Sequence, residues 1–302
     1  MFKKILPCAI LLAFNAHALP QDVASNFSQL NGHMTWDNHQ EIKLEGNTYH
    51  PQGMVKIGDY FYISSVEVIE QPTKYSKPMQ GLDRTAGKGK GHLFKFDKTG
   101  KLVAQVTFGE GDIYHPGGLD FDGKNIWMPV AEYRPHSHSN IYKVAPNSLE
   151  ITKQFTVNNH IGALSYDPET ETLYGGTWGS REFYTWPLKG NKANPQSTTV
   201  KNTSYYIDYQ DCKFTSGHFL VCSGLKKYTV NGKEEVAFGG LELIDTRSMT
   251  LSQQMPVDAW IKPNLPMTQN PFWIEKEHES LTFYFAPEDN KTSIYVYKEH
   301  NS

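Results

Sequence analysis

Two segments decide how this chain is read. His50-Pro51-Gln52-Gly53-Met54 runs through the turn Gly58-Asp59 into Phe61-Tyr62-Ile63-Ser64-Ser65-Val66-Glu67, and His115-Pro116-Gly117-Gly118-Leu119 runs through Asp122-Gly123 into Ile126-Trp127-Met128-Pro129-Val130-Ala131-Glu132. The His-to-Glu interval is 17 residues in both. Two apolar runs joined by a glycine-bearing turn describe an antiparallel hairpin. Weaker copies start at His160-Ile161-Gly162-Ala163-Leu164 and end near Trp178, start near Gln210 or Asp211, and start at Asn270-Pro271 to reach Glu288 after 18 residues.

Each hairpin is followed by a second motif, a polar or small residue and then branched or aromatic residues in alternation. The copies are His92-Leu93-Phe94-Lys95-Phe96, Asn140-Ile141-Tyr142-Lys143-Val144, Glu182-Phe183-Tyr184-Thr185-Trp186, Gly240-Leu241-Glu242-Leu243-Ile244 and Ser293-Ile294-Tyr295-Val296-Tyr297. They are spaced 48, 42, 58 and 53 residues apart. Repeats of this length fit four-stranded propeller blades, which must stack to bury both faces. The final copy ends the chain one strand short. Glu41-Ile42-Lys43-Leu44-Glu45-Gly46 has the missing pattern, so an N-terminal strand is expected to complete the last blade and remove the open edges. The reading is an all-β, five-bladed β-propeller forming one domain over 19–302. Six blades are the alternative, with only roughly 30 mature residues before His50 to supply the extra one.

Residues 1–18 read as a secretory signal, with Lys3 and Lys4, an apolar run from Ile5 to Phe14 and the small-x-small site Ala16-His17-Ala18. Cleavage near Ala18 predicts a secreted or periplasmic protein. No apolar stretch has the length of a membrane-spanning helix. The chain has 29 Lys and Arg against 32 Asp and Glu, and loss of Lys3 and Lys4 leaves 27 against 32. An acidic balance without clustered cations argues against a nucleic-acid partner. Cys212 and Cys222 flank Gly217 symmetrically in a hairpin, and a disulfide is expected in an oxidising compartment.

The start of the first strand and the end of the second lie at the same end of an antiparallel hairpin. His50, His115, His160, Gln210 or Asp211, and Asn270 are therefore expected around one channel mouth, with Glu67, Glu132, Trp178 and Glu288 just outside. Three neutral imidazoles with Asn270 could hold a divalent metal, beside which Glu67 or Glu132 would act as proton acceptor. The competing reading is structural, each histidine fixing its own blade entry by local hydrogen bonds. Long loops emerge on the same face, Val68 to Gly91 above all. Arg84, Arg134 and Arg181 offer guanidiniums for an anionic group, and Trp178 a ring for stacking. His136-x-His138 reads as a solvated loop, and Trp127 and Trp273 as packing between blades. No P-loop, nucleophile elbow, HExxH or Rossmann fingerprint is present.

At the His-Pro-x-Gly hairpins the chain resembles secreted bacterial propellers of a domain-of-unknown-function kind and, more distantly, gluconolactonase, strictosidine-synthase and lyase-type propellers. The lactonase resemblance implies a divalent metal at the channel mouth held by Glu, Asn and Asp, where Glu67, Glu132 and Asn270 take comparable blade positions. The added histidines depart from that pattern. The lyase resemblance implies histidines around the metal, which His50, His115 and His160 match better. Together these readings give a metal-dependent hydrolase or lyase acting on a small oxygenated substrate such as a lactone, ester or sugar acid. The rival is a non-catalytic propeller that binds a ligand or a protein through the same face.

Overall fold

The structure, a computed structural model, describes residues 22–31, 35–36, 38–189, 195–232, 234–278 and 280–299. The signal segment 1–18 and its Ala18 cleavage site lie outside the described residues.

Five antiparallel sheets form a ring of five blades. Blade 1 runs outward through His50–Ile57, Tyr60–Glu70, Lys88–Asp97 and Leu102–Phe108. Blade 2 uses Ile113–Pro116 with Asp120–Phe121, then Ile126–Glu132, Ser139–Val144 and Ile151–Val157. Blade 3 uses Ile161–Asp167, Thr172–Thr177, Glu182–Pro187 and Thr198–Lys201, and blade 4 Asp208–Thr215, Phe219–Val230, Glu234–Asp245 and Thr250–Val257. Blade 5 has Phe272–Glu277, Ser280–Phe285 and Ser293–Lys298, and its outer strand is the N-terminal Asn38–Lys43, paired antiparallel with Ser293–Lys298. The ring closes as expected, with the closing strand starting three residues earlier than the sequence pattern suggested.

The strand patterns follow from packing on both faces. In blade 1, Phe61 and Ile63 enter the seam with blade 5, while the intervening Tyr62 enters the seam with blade 2. Phe61 through Val66 are therefore buried without interruption, whereas the outer strand Leu102–Phe108 alternates between half-buried and exposed. The buried hydrophobic residues form five clusters, one per seam. Trp127 is buried in the seam of blades 2 and 3, and Trp273 packs against the clusters on both sides of blade 1. A short helix, Val23–Phe27, adds Val23, Ala24 and Phe27 to the seam of blades 4 and 5. Cys212 and Cys222 stand directly opposite in blade 4 and form the expected disulfide.

The inner strands meet main chain to main chain around the axis. Gly118 N–H donates to the Gly162 carbonyl at 2.9 Å and Leu164 N–H to the Gly118 carbonyl at 3.1 Å, a bridge between blades 2 and 3. A Cβ on Gly117 would overlap the Gly162 carbonyl, and one on Gly118 would overlap the Asp211 carboxylate, which explains the glycine pair.

Three charges lie buried among these strands. Lys213 Nζ donates to Asp211 Oδ1 and to the Leu119 carbonyl, both at 2.6 Å, and stands 5.7 Å from the Phe272 ring centroid. Asp211 also accepts Met54 N–H at 3.0 Å, while Asp120 accepts the N–H groups of Phe121, Tyr166 and Phe214 at 2.9, 2.8 and 3.3 Å. Residues of all five blades thus touch one ionic knot. Burial pushes the Asp120 carboxyl up to about 6 and that of Asp211 up to about 7, with the Lys213 ammonium opposing the rise in each case.

Removing the lone cation should be severe. Lys213→Met leaves two buried carboxylates uncompensated and is expected to lower unfolding free energy by about 3–5 kcal/mol in urea titrations at pH 8. A carboxyl whose folded pKa is raised gains stability as pH falls, so the deficit should shrink at pH 5. An equal deficit at both pH values would contradict the ionic account.

Candidate functional site

Strand register sets which side chains reach the mouth. His50 stands opposite Val66, and His115 opposite Ala131. Cross-strand partners share a face and neighbours along a strand alternate. An interval of 17 residues therefore sends Glu67 and Glu132 to the face away from His50 and His115. Glu67 instead accepts from His92 Nε2 at 3.0 Å, and the other nitrogen of His92 bonds Thr107 Oγ1 at 3.1 Å. Glu132 is held by Arg134 Nε at 2.5 Å and His138 Nδ1 at 3.0 Å.

On the other side His115 and His160 come together. His115 is 5% exposed, and neither ring nitrogen has a hydrogen-bond partner. Tyr133 stacks on its face at 4.2 Å between centroids, and the His160 ring lies 5.8 Å away. His160 Nδ1 donates to the Glu132 carbonyl at 2.9 Å, which leaves the lone pair on Nε2, and its ring meets Trp178 edge-on at 4.8 Å. His50 Nδ1 lies 2.7 Å from Asp289 Oδ1, both groups being partly exposed. Asn270 donates to the Pro287 carbonyl at 2.9 Å and to Asp289 Oδ1 at 3.2 Å, while its buried Oδ1 has no partner.

Burial dominates the electrostatics. It holds His115 well below the ordinary imidazole range, with the charges of His160 and His50 acting in the same direction and the backbone at His115 and Pro116 opposing. His160 is lowered to about 4 by burial, against the opposing Glu132 carbonyl and carboxylate. Burial alone would raise Asp289, yet the His50 and Asn270 hydrogen bonds and nearby positive charge hold it below the usual carboxylate range. Burial and the Asp289 charge raise the Tyr133 phenol, with Arg84 opposing. At neutral pH the mouth thus combines two neutral imidazoles, a His–Asp dyad and a protonated phenol.

Two of the four expected substrate contacts lie here. The Arg84 guanidinium stacks 5.2 Å from the Trp178 ring centroid, with Asp83 oxygens bonded to its Nε and Nη2 at 2.8 Å. Arg134 is occupied by Glu132, Asp112 and the Arg84 carbonyl. Arg181 is turned toward blade 4, bonded to the Gly179 and Ser204 carbonyls and to Asp208, with Tyr205 beneath it. His138 is 57% exposed and bonded to Glu132. Among the described residues, no group of three or more His, Cys, Asp or Glu side chains is placed so that it could hold a metal ion. No helix among them is long and apolar enough to cross a membrane.

Asp289, Tyr133 and His92 were not singled out by spacing. The fifth hairpin is one residue longer than the first two, and its loop places Asp289 on His50. The residue marked by the repeat, Glu288, instead accepts Ser293 N–H at 3.1 Å and the Tyr295 hydroxyl at 3.2 Å. Tyr133 follows Glu132 directly, and strand parity alone would have returned it to the His115 face.

The fold is shared with a GH43 endo-arabinanase from Bacillus licheniformis, at 9% identity over 85% of this chain and 96% of that one, with a TM-score of 0.51. A gluconolactonase from Xanthomonas campestris aligns at 12% identity over 88% of this chain and 99% of its own, with a TM-score of 0.45. The major Malassezia sympodialis allergen Mala s 1 aligns at 11% identity, 87% and 96% coverage and a TM-score of 0.47. At such identities the likeness is one of fold. No curated protein matches the chain. The model of one family, described as a family of unknown function (DUF6454), matches residues 9–300, and the chain belongs to that family.

Proposed function

We propose that this propeller is a secreted or periplasmic hydrolase or lyase that works by acid–base chemistry on a small oxygenated substrate carrying an anionic group, such as a sugar acid or a lactone or ester of one. The observation that carries this reading is the contact of His50 Nδ1 with Asp289 at the mouth, beside two imidazoles held neutral by burial. A carboxylate on Nδ1 fixes the tautomer and turns Nε2 into the base, and it stabilises the imidazolium once a proton is taken. Tyr133 keeps its proton and can donate it to oxygen where negative charge develops. Arg84 would pair with the anionic group and Trp178 would stack on the substrate. The base is assigned to His50 rather than to Glu67 or Glu132 because both glutamates already carry hydrogen bonds on the far face.

A divalent metal at His50, His115, His160 and Asn270 is the second reading, and His115 favours it, since two unpartnered buried nitrogens call for a ligand. The donor chemistry is suitable. His50 and His160 both anchor Nδ1 on an oxygen, the usual arrangement of a metal-ligating imidazole that binds through Nε2. The spacing is not, because no three ionisable ligands are gathered about one point among the described residues. A bound ion would supply polarisation of a substrate oxygen. The residue roles given above do not depend on it.

Turnover should be found in a panel of lactones, esters and sugar acids, and His50→Ala or Asp289→Asn should lower kcat by about 10²–10⁴-fold. Absence of turnover across the panel, in metal-free and metal-replete buffer alike, would leave a ligand-binding propeller instead. Elemental analysis tests the metal. Less than about 0.1 ion per chain after metal-replete purification rules out the second reading, because a three-imidazole site binds transition metals tightly.

Acid stability offers a further check. The unfolded chain protonates His160 near pH 6.5, whereas the folded chain resists until about pH 4. Folding therefore loses support from this group as pH falls through that window, on the order of 3 kcal/mol in all. Asp120 and Asp211 act with the opposite sign over an overlapping range. The informative quantity is thus the stability difference between wild type and His160→Asn, which should narrow between pH 7 and pH 4 in urea titrations. A pH-independent difference would contradict a buried neutral His160.

A further inference from the structure

The contacts around His115 form a row of rings ending in a guanidinium. Tyr133 covers its ring at 4.2 Å, Trp178 lies 5.9 Å from Tyr133, and the Arg84 guanidinium caps Trp178 at 5.2 Å. The first residue in this row comes from blade 2, the second from its following loop, the third from blade 3 and the fourth from the insertion of blade 1. That insertion extends the strand pair Tyr60–Glu70 and Lys88–Asp97 and ends in the small hairpin of Lys74–Met79 and Leu82–Arg84. It leans across blade 2, where Tyr114 donates its hydroxyl to the Ala86 carbonyl at 2.5 Å and Arg134 reaches the Arg84 carbonyl at 3.4 Å.

This arrangement poses a physical problem. A buried imidazole with neither nitrogen satisfied loses several kcal/mol of hydration without replacement, so its nitrogens are expected to meet a polar partner in some state of the protein. The face of the imidazole is covered by a side chain, that of Tyr133. Tyr133 opens the loop of residues 133–138, and Arg84 sits on a small hairpin that pairs Lys74 with Arg84 and Met79 with Leu82 and is tied at its base by Thr73 and Thr85. Gly87, behind the hairpin, has φ of +68°, and a Cβ there would overlap the Glu70 carbonyl, so the backbone bend at its base is built for glycine.

We propose that access to His115 is gated by the Tyr133 ring and that the stacking of Arg84 on Trp178 is the latch of this gate. This rests on the reading of the mouth as the ligand site, and it adds that the ligand must carry a polar group small enough to pass the displaced Tyr133 and pair with His115. Asp83 holds Nε and Nη2 of Arg84 and leaves Nη1 for a second anion, so a ligand with an anionic group would compete with the Trp178 ring for the guanidinium. Ligand capture and gate release are then one event.

The test measures access without using turnover. Diethyl pyrocarbonate acylates neutral imidazole, and His115 is neutral at pH 7, so its modification rate reports exposure rather than protonation. The mature protein is treated briefly, and modification at His115 and at the exposed His138 is read by peptide mass spectrometry. In the wild type His115 should react far more slowly than His138. Tyr133→Ala should raise the His115 rate by at least about tenfold by removing the cover. Arg84→Ala, which leaves every group touching His115 in place, should raise it about fivefold, as expected from loss of one cation–π contact. Circular dichroism and an unchanged His138 rate show that the variants are folded. His115 reacting as fast as His138 in the wild type would overturn the gate, and an unchanged His115 rate in Arg84→Ala would overturn the latch. Neither result depends on whether a substrate has been found, so failure of the gate and failure of the proposed chemistry are separable.

Discussion

The ring depends on one buried interaction, the contact of the Lys213 ammonium with Asp211 and, by its charge, with Asp120. Desolvating such charges is expensive, and an apolar plug of equal volume would be as stable or more so. What the charges provide is registration. Asp120 caps backbone N–H groups of blades 3 and 4, Asp211 caps one of blade 1, and Lys213 takes a carbonyl of blade 2. Hydrophobic seams can slide by a residue with modest loss, whereas these directed bonds cannot. The inner strands are thereby drawn so close that glycine is required where blades 2, 3 and 4 meet.

Filling the axis also decides where chemistry can occur. Charge and main chain close the middle of the ring, and among the buried polar atoms left without partners are some at the mouth, where inner strands begin. His115 and Asn270 each retain a buried unsatisfied atom there. The same burial keeps His115 and His160 uncharged, while the half-open His50 retains Asp289 as its partner. A gradient from dry to wet across a few side chains lets imidazoles of one type assume different roles.

Much of this was legible in the chain because the blade repeat is written in local pattern. Apolar runs divided by Gly58-Asp59 and Asp122-Gly123 gave the hairpins, Ile42 and its neighbours gave the closing strand, and Cys212 with Cys222 gave the disulfide. The neighbourhood of His115 and His160 also agrees with antiparallel geometry. What failed to follow was the side of the strand. The 17-residue interval drew Glu67 and Glu132 toward the histidines, whereas strand alternation sends them behind the sheet to His92 and Arg134. The knot was illegible for a different reason: Lys213 and the Leu119 carbonyl are 94 residues apart, and neither has a local pattern that points to the other.

The distribution of these features implies a division of labour among the blades. Blade 4 supplies Asp211 and Lys213, carries the disulfide, and receives the N-terminal helix through the bond of Val23 N–H to Thr215 Oγ1 at 3.1 Å. At its own mouth position, Asp208 is taken up by Lys226 and Arg181. Blades 1, 2, 3 and 5 supply the histidines, Tyr133, Trp178, Asn270 and Asp289. A closed ring transmits strain from one seam to the next, so a mouth with unsatisfied atoms and displaceable rings needs an opposing segment that does not yield. Blade 4 has the cross-links for that role.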